Sequence, residues 1–203
     1  PTTPVPPAGA CRLGLRFLAG LRREAGEAIA RARREGPFRD VDDLRRRARL
    51  HADELDALAE AGALASLGLT RRAALWQAAL AVRPAAPLFA GDGAEEGAGT
   101  ASSPLPEMSA WERTRADFAT TDLTVGRHPL AHFRAGLAAR GVLAAADLPR
   151  VAHGARVRTA GSVIVRQRPG TAKGMLFLTL EDETGMSQAI VHPRLLAEQR
   201  RTI

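Results

Sequence analysis

A stretch of 27 residues in the middle of the chain, residues 83–109, is too rich in Pro, Gly and Ser to form part of a packed core. Its sequence is RPAAPLFAGDGAEEGAGTASSPLPEMS. We predict a flexible linker at residues 84–109, with a separately folded region on each side of it. Residues 1–12 contain four prolines, and we predict that they are an extended segment or the cut end of a longer chain.

The region before this linker, residues 13–83, has the hydrophobic period of amphipathic helices. A helix is predicted over residues 24–35, and it should stop at Gly36, because glycine suits a left-handed cap and the proline after it cannot continue a helix. Three further helices should follow, with Asp53 and Thr70 as the caps of the last two. The region is therefore predicted to be entirely helical.

In the region after the linker, the spacing of apolar residues changes from a helical period to the period of two that is typical of strands. Residues 110–150 are predicted to be a helical connector, and the segments RVRTAGSVIVRQ, GMLFLTLED and SQAIVHP then read as three strands, followed by a helix from Pro193. Three strands leave an open sheet, whereas a closed five-stranded barrel of the OB type needs two more. The predicted fold is therefore α+β, with a partial barrel at residues 151–203, and we expect the chain to be a piece of a longer protein.

Positive charge is unevenly placed along the chain. The formal net charge is +7, and all but one of the 29 basic residues are arginine, the exception being Lys173, so part of the charge reflects a compositional bias. Residues 1–83 carry 15 basic and 10 acidic side chains, and residues 151–203 carry 8 and 4. Residues 84–109 carry four acidic side chains and no basic one. Positive charge in both regions that are predicted to fold indicates two modules that bind a polyanion.

The first candidate binding site is the turn in LAGLRREAG, residues 18–26, just before the first long helix. The first N–H groups of a helix have no internal partner and lie at the positive end of its dipole, so a phosphate can dock there. Gly20 and Leu21 form the turn, and Arg22 and Arg23 place charge beside it. The alternative is that Gly20 only closes a turn between two helices.

The second candidate site, AGALASLGLTRR in residues 61–72, has the same form. Gly62 and Gly68 flank an apolar turn, and Arg71 and Arg72 open the next helix. Two glycine turns that each lead into paired arginines favour repeated contacts with the DNA backbone. The alternative is a plain helical bundle with solvated arginines.

The predicted strands supply a third candidate site. Bases of single-stranded DNA stack on aromatic rings while arginines follow the phosphates, so a basic, partly aromatic sheet face suits this ligand. Phe177 could equally belong to the core. The candidate residues are Arg156, Arg158, Arg166, Arg168, Lys173 and Phe177.

No set of residues with catalytic or metal-binding spacing stands out. Cys11 is the only cysteine, so the chain can form neither an internal disulfide nor a zinc site of several cysteines. His128 and His132 have a metal-compatible spacing, but a proline interrupts it, and structural roles are predicted. The acidic run at residues 181–183 is predicted to be a solvated turn. No apolar run reaches the roughly 18 residues that cross a membrane, and we expect a cytoplasmic protein without a membrane partner.

Several stretches resemble one family of enzymes. The stretches LGLRFLAGLRREAGEAIARAR, GPFRDVDDLRRR and ELDALAEAGALASLGLTRRAALW resemble the tandem helix-hairpin-helix region of bacterial C-family DNA polymerases. The stretch DFATTDLTVGRHPLAHFR is similar to their connector, and VIVRQRPGTAKGMLFLTLEDETG is similar to their OB domain. The RQRPGTAKG loop and the RRAALW stretch resemble the error-prone (ImuC-type) branch of the DNA polymerase III alpha subunit family.

This resemblance implies a parent enzyme that extends DNA primers with magnesium in damage-tolerant (translesion) synthesis. Its catalytic carboxylates lie upstream, so this chain should not polymerise by itself and should need no cofactor. The implied partners are duplex and single-stranded DNA, the sliding clamp and mutagenesis accessory proteins. The first hairpin often carries a second glycine where this chain has Arg22, and a left-handed backbone there would be strained. Alternatives are a module that docks accessory proteins, or the same region of a replicative alpha subunit.

Overall fold

The computed structural model describes residues 13–82 and 103–202, and it divides the chain after Thr124 into a helical unit and a sheet unit. The stretch predicted as a connector, residues 110–150, is shared between the two: its first helix lies in the helical unit and the rest lies in the sheet unit. The predicted end segment, residues 1–12, and most of the predicted linker lie outside the described residues.

The helical unit contains five α-helices and two short 3-10 helices in its described part. The 3-10 helices are Leu15–Phe17, which precedes the first α-helix, and Ala63–Leu67, which lies between the third and the fourth. The α-helices are α1 (Arg23–Arg34), α2 (Val41–Ala48), α3 (Ala52–Glu60), α4 (Arg71–Val82) and α5 (Ala110–Thr121). The sequence therefore predicts all four helices before residue 83 correctly.

The core of the helical unit lies where α3 packs on α4 and where α2 packs on α1 and α4. Leu55, Ala59 and Ala78 are fully buried, and Ile29 and Leu44 join the same cluster. The small alanine side chains let the backbones of α3 and α4 approach closely, while the leucines fill the remaining space. Burial of this apolar stripe gives the helices stability that none of them has alone in water.

Polar groups define the helix ends. Thr70 caps α4 as predicted, since its hydroxyl oxygen accepts a hydrogen bond from the Ala73 N–H at 3.3 Å. The prediction for Asp53 is wrong by two residues, because α3 starts after His51 and Asp53 lies in its first turn. The N-cap residue is His51, and Glu54, at the third position of the helix, accepts from the His51 N–H at 2.9 Å.

The sheet unit holds a three-stranded sheet, a two-stranded parallel pair, two α-helices and two 3-10 helices among the described residues. The 3-10 helices are Pro129–His132 and Ala145–Arg150. The other elements are α6 (Arg134–Ala138), β1 (Val142–Leu143), β2 (Arg158–Thr159), β3 (Ser162–Gln167), β4 (Leu176–Asp182), β5 (Gly185–Val191) and α7 (Pro193–Glu198).

Strands β3, β4 and β5 form an antiparallel meander in that order, at the three places where strands are predicted. The register runs from Leu176 opposite Val191 to Asp182 opposite Gly185. Within the described residues the sheet does not close into a barrel. Strand β2 lies within the predicted segment RVRTAGSVIVRQ, but β1 and its parallel pairing with β2 are not predicted, because a strand of two residues is too short to show a period.

Two of the three residues of the acidic run at the end of β4, Asp182 and Glu183, form an ion-paired junction and not the solvated turn predicted from sequence, whereas Glu181 is 44% exposed. The Asp182 side chain is 1% exposed and accepts from Arg134 Nη2 at 3.0 Å and from the Ala145 N–H at 2.8 Å. The N–H and hydroxyl of Thr184 also donate to it, at 2.8 and 2.6 Å. Glu183 pairs with the same arginine. Burial alone would raise the pKa of Asp182, but these hydrogen bonds hold it below its ordinary value.

Candidate nucleic-acid interface

The first hairpin turn, residues 18–22, leads into α1. Gly20 has the left-handed φ of +82°, which glycine adopts without strain, and the Leu18 side chain is buried in the core. Arg22 is the N-cap residue, with φ of −65° and ψ of 150°. Its backbone is therefore extended, and the strain expected from an arginine at this position does not arise. No side chain caps the first turn of α1, so its N–H groups are open to an external acceptor.

The Arg22 side chain is engaged inside the unit. Its Nε donates to Glu54 Oε1 at 2.7 Å and its Nη2 donates to Glu54 Oε2 at 3.1 Å, a bidentate pair. The Glu54 side chain is 1% exposed. Hydrogen bonds from Arg22, opposed by burial and helped by the His51 N–H, lower the pKa of Glu54 from 4.5 to about 2. Arg22 therefore joins the start of α1 to the start of α3.

Arg23 is the exposed cation of the first hairpin turn. Its side chain is 86% exposed, and among the described residues it pairs with Glu27 alone, one turn along α1, at 2.8 Å. Such exposed pairs contribute little and yield readily to a stronger acceptor. A phosphate at the uncapped end of α1 would therefore find Arg23 beside it.

The second hairpin turn, residues 62–70, is arranged differently. Arg71 donates to Asp117 of α5 at 2.5 Å and to the Arg113 carbonyl at 3.1 Å. Arg72 donates to Glu112, also in α5, at 2.8 Å. Both paired arginines of this turn therefore hold α5 in place, in addition to the cap that Thr70 provides for α4.

Gly62 allows the Arg71 side chain to reach Asp117. Gly62 and Gly68 have nearly equal left-handed φ angles of +75° and +74°. A Cβ atom at Gly62 would lie 2.8 Å from Arg71 Nε, whereas one at Gly68 would meet nothing within 4 Å. The two glycines thus share the same backbone requirement but differ in their surroundings.

We expect Gly62→Ala to destabilise the helical unit more than Gly68→Ala does. Each alanine should cost about 1 kcal/mol because of its left-handed backbone, and Gly62→Ala should lose about a further 1 kcal/mol because Arg71 must leave Asp117. Urea unfolding followed by the fluorescence of Trp76 and Trp111 measures both. Equal losses would show that Arg71 makes room for the new methyl group without a measurable loss of its contact with Asp117.

The candidate residues of the sheet unit do not gather on one face. Arg166 pairs with Leu178 across the sheet, while Phe177 pairs with Gln167, so Arg166 and Phe177 project from opposite faces. Arg158 lies in the separate β2 pair, outside this sheet. The predicted combination of arginines and an aromatic ring on a single face is therefore not formed. The other three predicted residues lie outside regular strands: Arg156, Arg168 and Lys173.

A cleft of about 650 Å³ lies between the sheet and α7. Arg166 and Arg168 line it, and Arg200 joins them from the turn after α7. Its remaining wall is apolar and includes Leu176 and Leu196. Arg200 is not among the residues predicted from sequence, which come from the two hairpin turns and from the strands and the loop that follows them. A cue was present, because two adjacent arginines, Arg200 and Arg201, lie at the end of the last predicted helix.

Of the two histidines with metal-compatible spacing, His128 has a structural role. His128 Nδ1 accepts from the Leu130 N–H at 3.2 Å and so caps the short 3-10 helix that follows. Within residues 13–82 and 103–202, no three His, Cys, Asp or Glu side chains gather as a metal site would require. Cys11 lies outside these residues. No helix in this part of the chain has the length and apolar character needed to span a bilayer.

Comparison with known proteins identifies related sequences over nearly the whole chain. The helix-hairpin-helix motif family matches residues 3–74. The chain is 47% identical over 194 residues, 96% of its length, to an error-prone DNA polymerase of Alkalilimnicola ehrlichii. It is 46% identical to error-prone DNA polymerases of Aromatoleum aromaticum and Pseudomonas aeruginosa, over 97% and 95% of its length.

The chain spans about 18% of the length of each of these relatives. The helix-hairpin-helix match covers both hairpin turns up to the first residues of α4, and the likeness to the polymerases extends through the sheet unit. The resemblance noted in the sequence is thereby confirmed, including its error-prone branch. Over nearly its whole length, this chain is similar to one segment of the error-prone DNA polymerases.

Proposed function

We propose that this chain is a DNA-binding part of an error-prone DNA polymerase, in which the helical unit holds duplex DNA and the sheet unit holds single-stranded template. The helix-hairpin-helix match and the names of the relatives support DNA as the ligand. The excess of basic residues in both regions supports it further, because neutralised phosphates supply most of the affinity of such proteins for DNA.

The observation that carries the proposal is the difference between the two hairpin turns. The first combines a left-handed Gly20, an uncapped helix start and the exposed Arg23, which together suit a backbone phosphate. In the second turn, Arg71 and Arg72 are neutralised by α5. We therefore assign the main phosphate contact of the helical unit to the first turn and to Arg23.

Replacing Arg23 by glutamate should weaken duplex binding about five- to tenfold and lower the slope of log affinity against log salt by about one. The matched control is Arg194→Glu, because Arg194 is 85% exposed and pairs with Glu198 one turn along its helix, as Arg23 does with Glu27. Fluorescence anisotropy with a labelled duplex at several salt concentrations measures both variants. The control should stay within twofold of the parent chain.

Equal effects of the two substitutions would contradict the assignment to the first hairpin turn. A parent chain that binds no duplex at all would contradict the proposed function itself. A second candidate function, the docking of the sliding clamp or an accessory protein, is favoured by the exposed apolar side chains of Val163, Met186 and Ile190 in the sheet unit. Unchanged DNA affinity in Arg23→Glu, together with direct binding to a purified clamp, would favour that alternative.

We further propose that polymerisation, and the magnesium it uses, belong to other parts of the parent enzyme. The adjacent carboxylates at the end of β4, Asp182 and Glu183, do not fit a magnesium site. Both are ion-paired with Arg134, and Asp182 also accepts hydrogen bonds from the backbone. Their oxygens are therefore already engaged within the protein, whereas magnesium would require them as ligands.

A further inference from the structure

The cleft beside α7 is lined by positive charge only. Arg166, Arg168 and Arg200 line it, and no acidic side chain does. None of the three forms an ion pair or hydrogen bond with another residue in the described part of the chain. Elsewhere in the same unit Arg134 and Arg194 are each paired with carboxylates. Three unneutralised guanidinium groups around one cleft favour an anionic ligand from outside.

The rest of the cleft is apolar. Leu176 is buried at its base, and Pro193, Leu196 and Ala197 of α7 form its side. Arg168 passes close to Pro193, since a Cβ atom at Gly174 would lie 3.6 Å from its Nη2 and 3.5 Å from Pro193 Cγ. The Arg168 guanidinium and the apolar Pro193 ring therefore flank the same point next to Gly174. The volume of about 650 Å³ falls within the range of roughly 300–1,000 Å³ that is usual for small-molecule sites.

We propose that this cleft holds one nucleotide of a single strand, with its phosphate between the three arginines and its base against Pro193 and Leu196. The inference rests on the proposed function and names the place and the chemistry of its single-strand contact. A nucleic-acid strand alternates anionic phosphates with flat, largely apolar base faces, which matches a basic rim beside an apolar wall. An acidic peptide supplies the charge but no flat apolar group.

If the nucleotide lies in this cleft, Phe177 does not contact its base. Phe177 projects from the opposite side of the sheet from Arg166, so it cannot stack the base whose phosphate Arg166 binds. The base platform is therefore aliphatic, and the site should show little preference among the four bases.

The test compares Arg200→Ala with Arg201→Ala in the full 203-residue chain. The two arginines are adjacent and exposed and have no partner in the described residues, but only Arg200 lines the cleft. Anisotropy with a short labelled oligothymidine strand should show about fivefold weaker binding for Arg200→Ala and a salt slope smaller by about 0.7. Arg201→Ala should stay within twofold. An abasic strand of the same length should bind the parent chain about fivefold more weakly than oligothymidine.

Each other result overturns a stated part of the inference. Equal losses in the two variants would exclude the cleft, and equal binding of abasic and normal strands would exclude the base contact. If polyglutamate displaced the labelled strand at a concentration equal to that of the strand, the ligand of the cleft would be an acidic peptide and not a nucleotide. Binding of duplex without any binding of the single strand would refute this inference alone. Absence of all DNA binding would refute the proposed function with it.

Discussion

Replacing Asp182 by asparagine is expected to lower the free energy of unfolding of the sheet unit by about 3 kcal/mol, the largest effect we expect from one isosteric change in this protein. The carboxylate accepts hydrogen bonds from Arg134, Ala145 and Thr184 while its side chain is 1% exposed. Asparagine keeps one acceptor oxygen and points an N–H₂ group at a donor. Arg134 would also keep its buried charge with Glu183 as its only remaining carboxylate partner.

The control for Asp182→Asn is Glu181→Gln on the neighbouring residue. Glu181 also belongs to β4, but its side chain is 44% exposed, and removal of its charge should change stability by less than about 0.5 kcal/mol. Both tryptophans, Trp76 and Trp111, lie in the helical unit and do not report on this change. Hydrogen exchange of peptides from β4 and β5 does report on it. Equal protection in the two variants would show that the junction does not stabilise the sheet.

Replacing Glu54 by glutamine is expected to destabilise the helical unit by about 2 to 3 kcal/mol at neutral pH. The change ends the bidentate ion pair with Arg22, while the glutamine oxygen can still accept from the His51 N–H. Since Glu54 fixes the start of α3 against the start of α1, the loss should also loosen the first hairpin turn. Urea unfolding followed by tryptophan fluorescence measures the loss.

Acid should remove this difference between the parent chain and Glu54→Gln. The pKa of Glu54 falls from 4.5 to about 2 on folding, so the folded state binds this proton less well than the unfolded state. The ion pair therefore stabilises the fold fully above pH 4.5, and this stabilisation is lost as the pH falls towards 2. It amounts to about 3 kcal/mol, and the two unfolding curves should converge at the acid end of that window.

A matched control for Glu54→Gln is Asp53→Asn, which removes a negative charge from the same first turn of α3. Asp53 is exposed, so its substitution changes the charge near the helix dipole without breaking a buried pair. It should lower stability by no more than about 0.5 kcal/mol. If the two variants lost equal stability, the effect of Glu54→Gln would come from the helix dipole and not from the broken ion pair with Arg22.

Helix and strand positions were largely predictable because they follow from local periodicity. The apolar residues of α1, Ile29 among them, recur every three to four positions. The β4 segment is bounded by turn residues on both sides. Strand β1 and its pairing with β2 were missed, and both strands are short. Strands β1 and β2 have two residues each, and their pairing joins residues that lie 16 positions apart. Such a pairing depends on the packing around it, which local sequence does not describe.

The candidate sites were only partly predictable. The positions of both hairpin turns are evident from their glycines, and the match to the helix-hairpin-helix family covers both turns. Which arginines remain available is not evident, because the partners of Arg22 and Arg71 lie 32 and 46 residues away. The cleft with Arg200 is likewise assembled from separate elements, and its lining residues show no pattern in sequence.

The sequence by itself determined the helical and strand periods, the glycine turns, the net positive charge and the relation to the error-prone DNA polymerases. Those properties depend on residue type and on spacing within a few turns of chain. Only the tertiary structure decided that Arg22, Arg71 and Arg134 pair with carboxylates far away in sequence. Arg23 pairs instead with an exposed neighbour on its own helix, and Arg200 has no partner among the described residues. A charge attracts whichever opposite charge the fold brings within about 4 Å, and that distance is set by packing between distant segments.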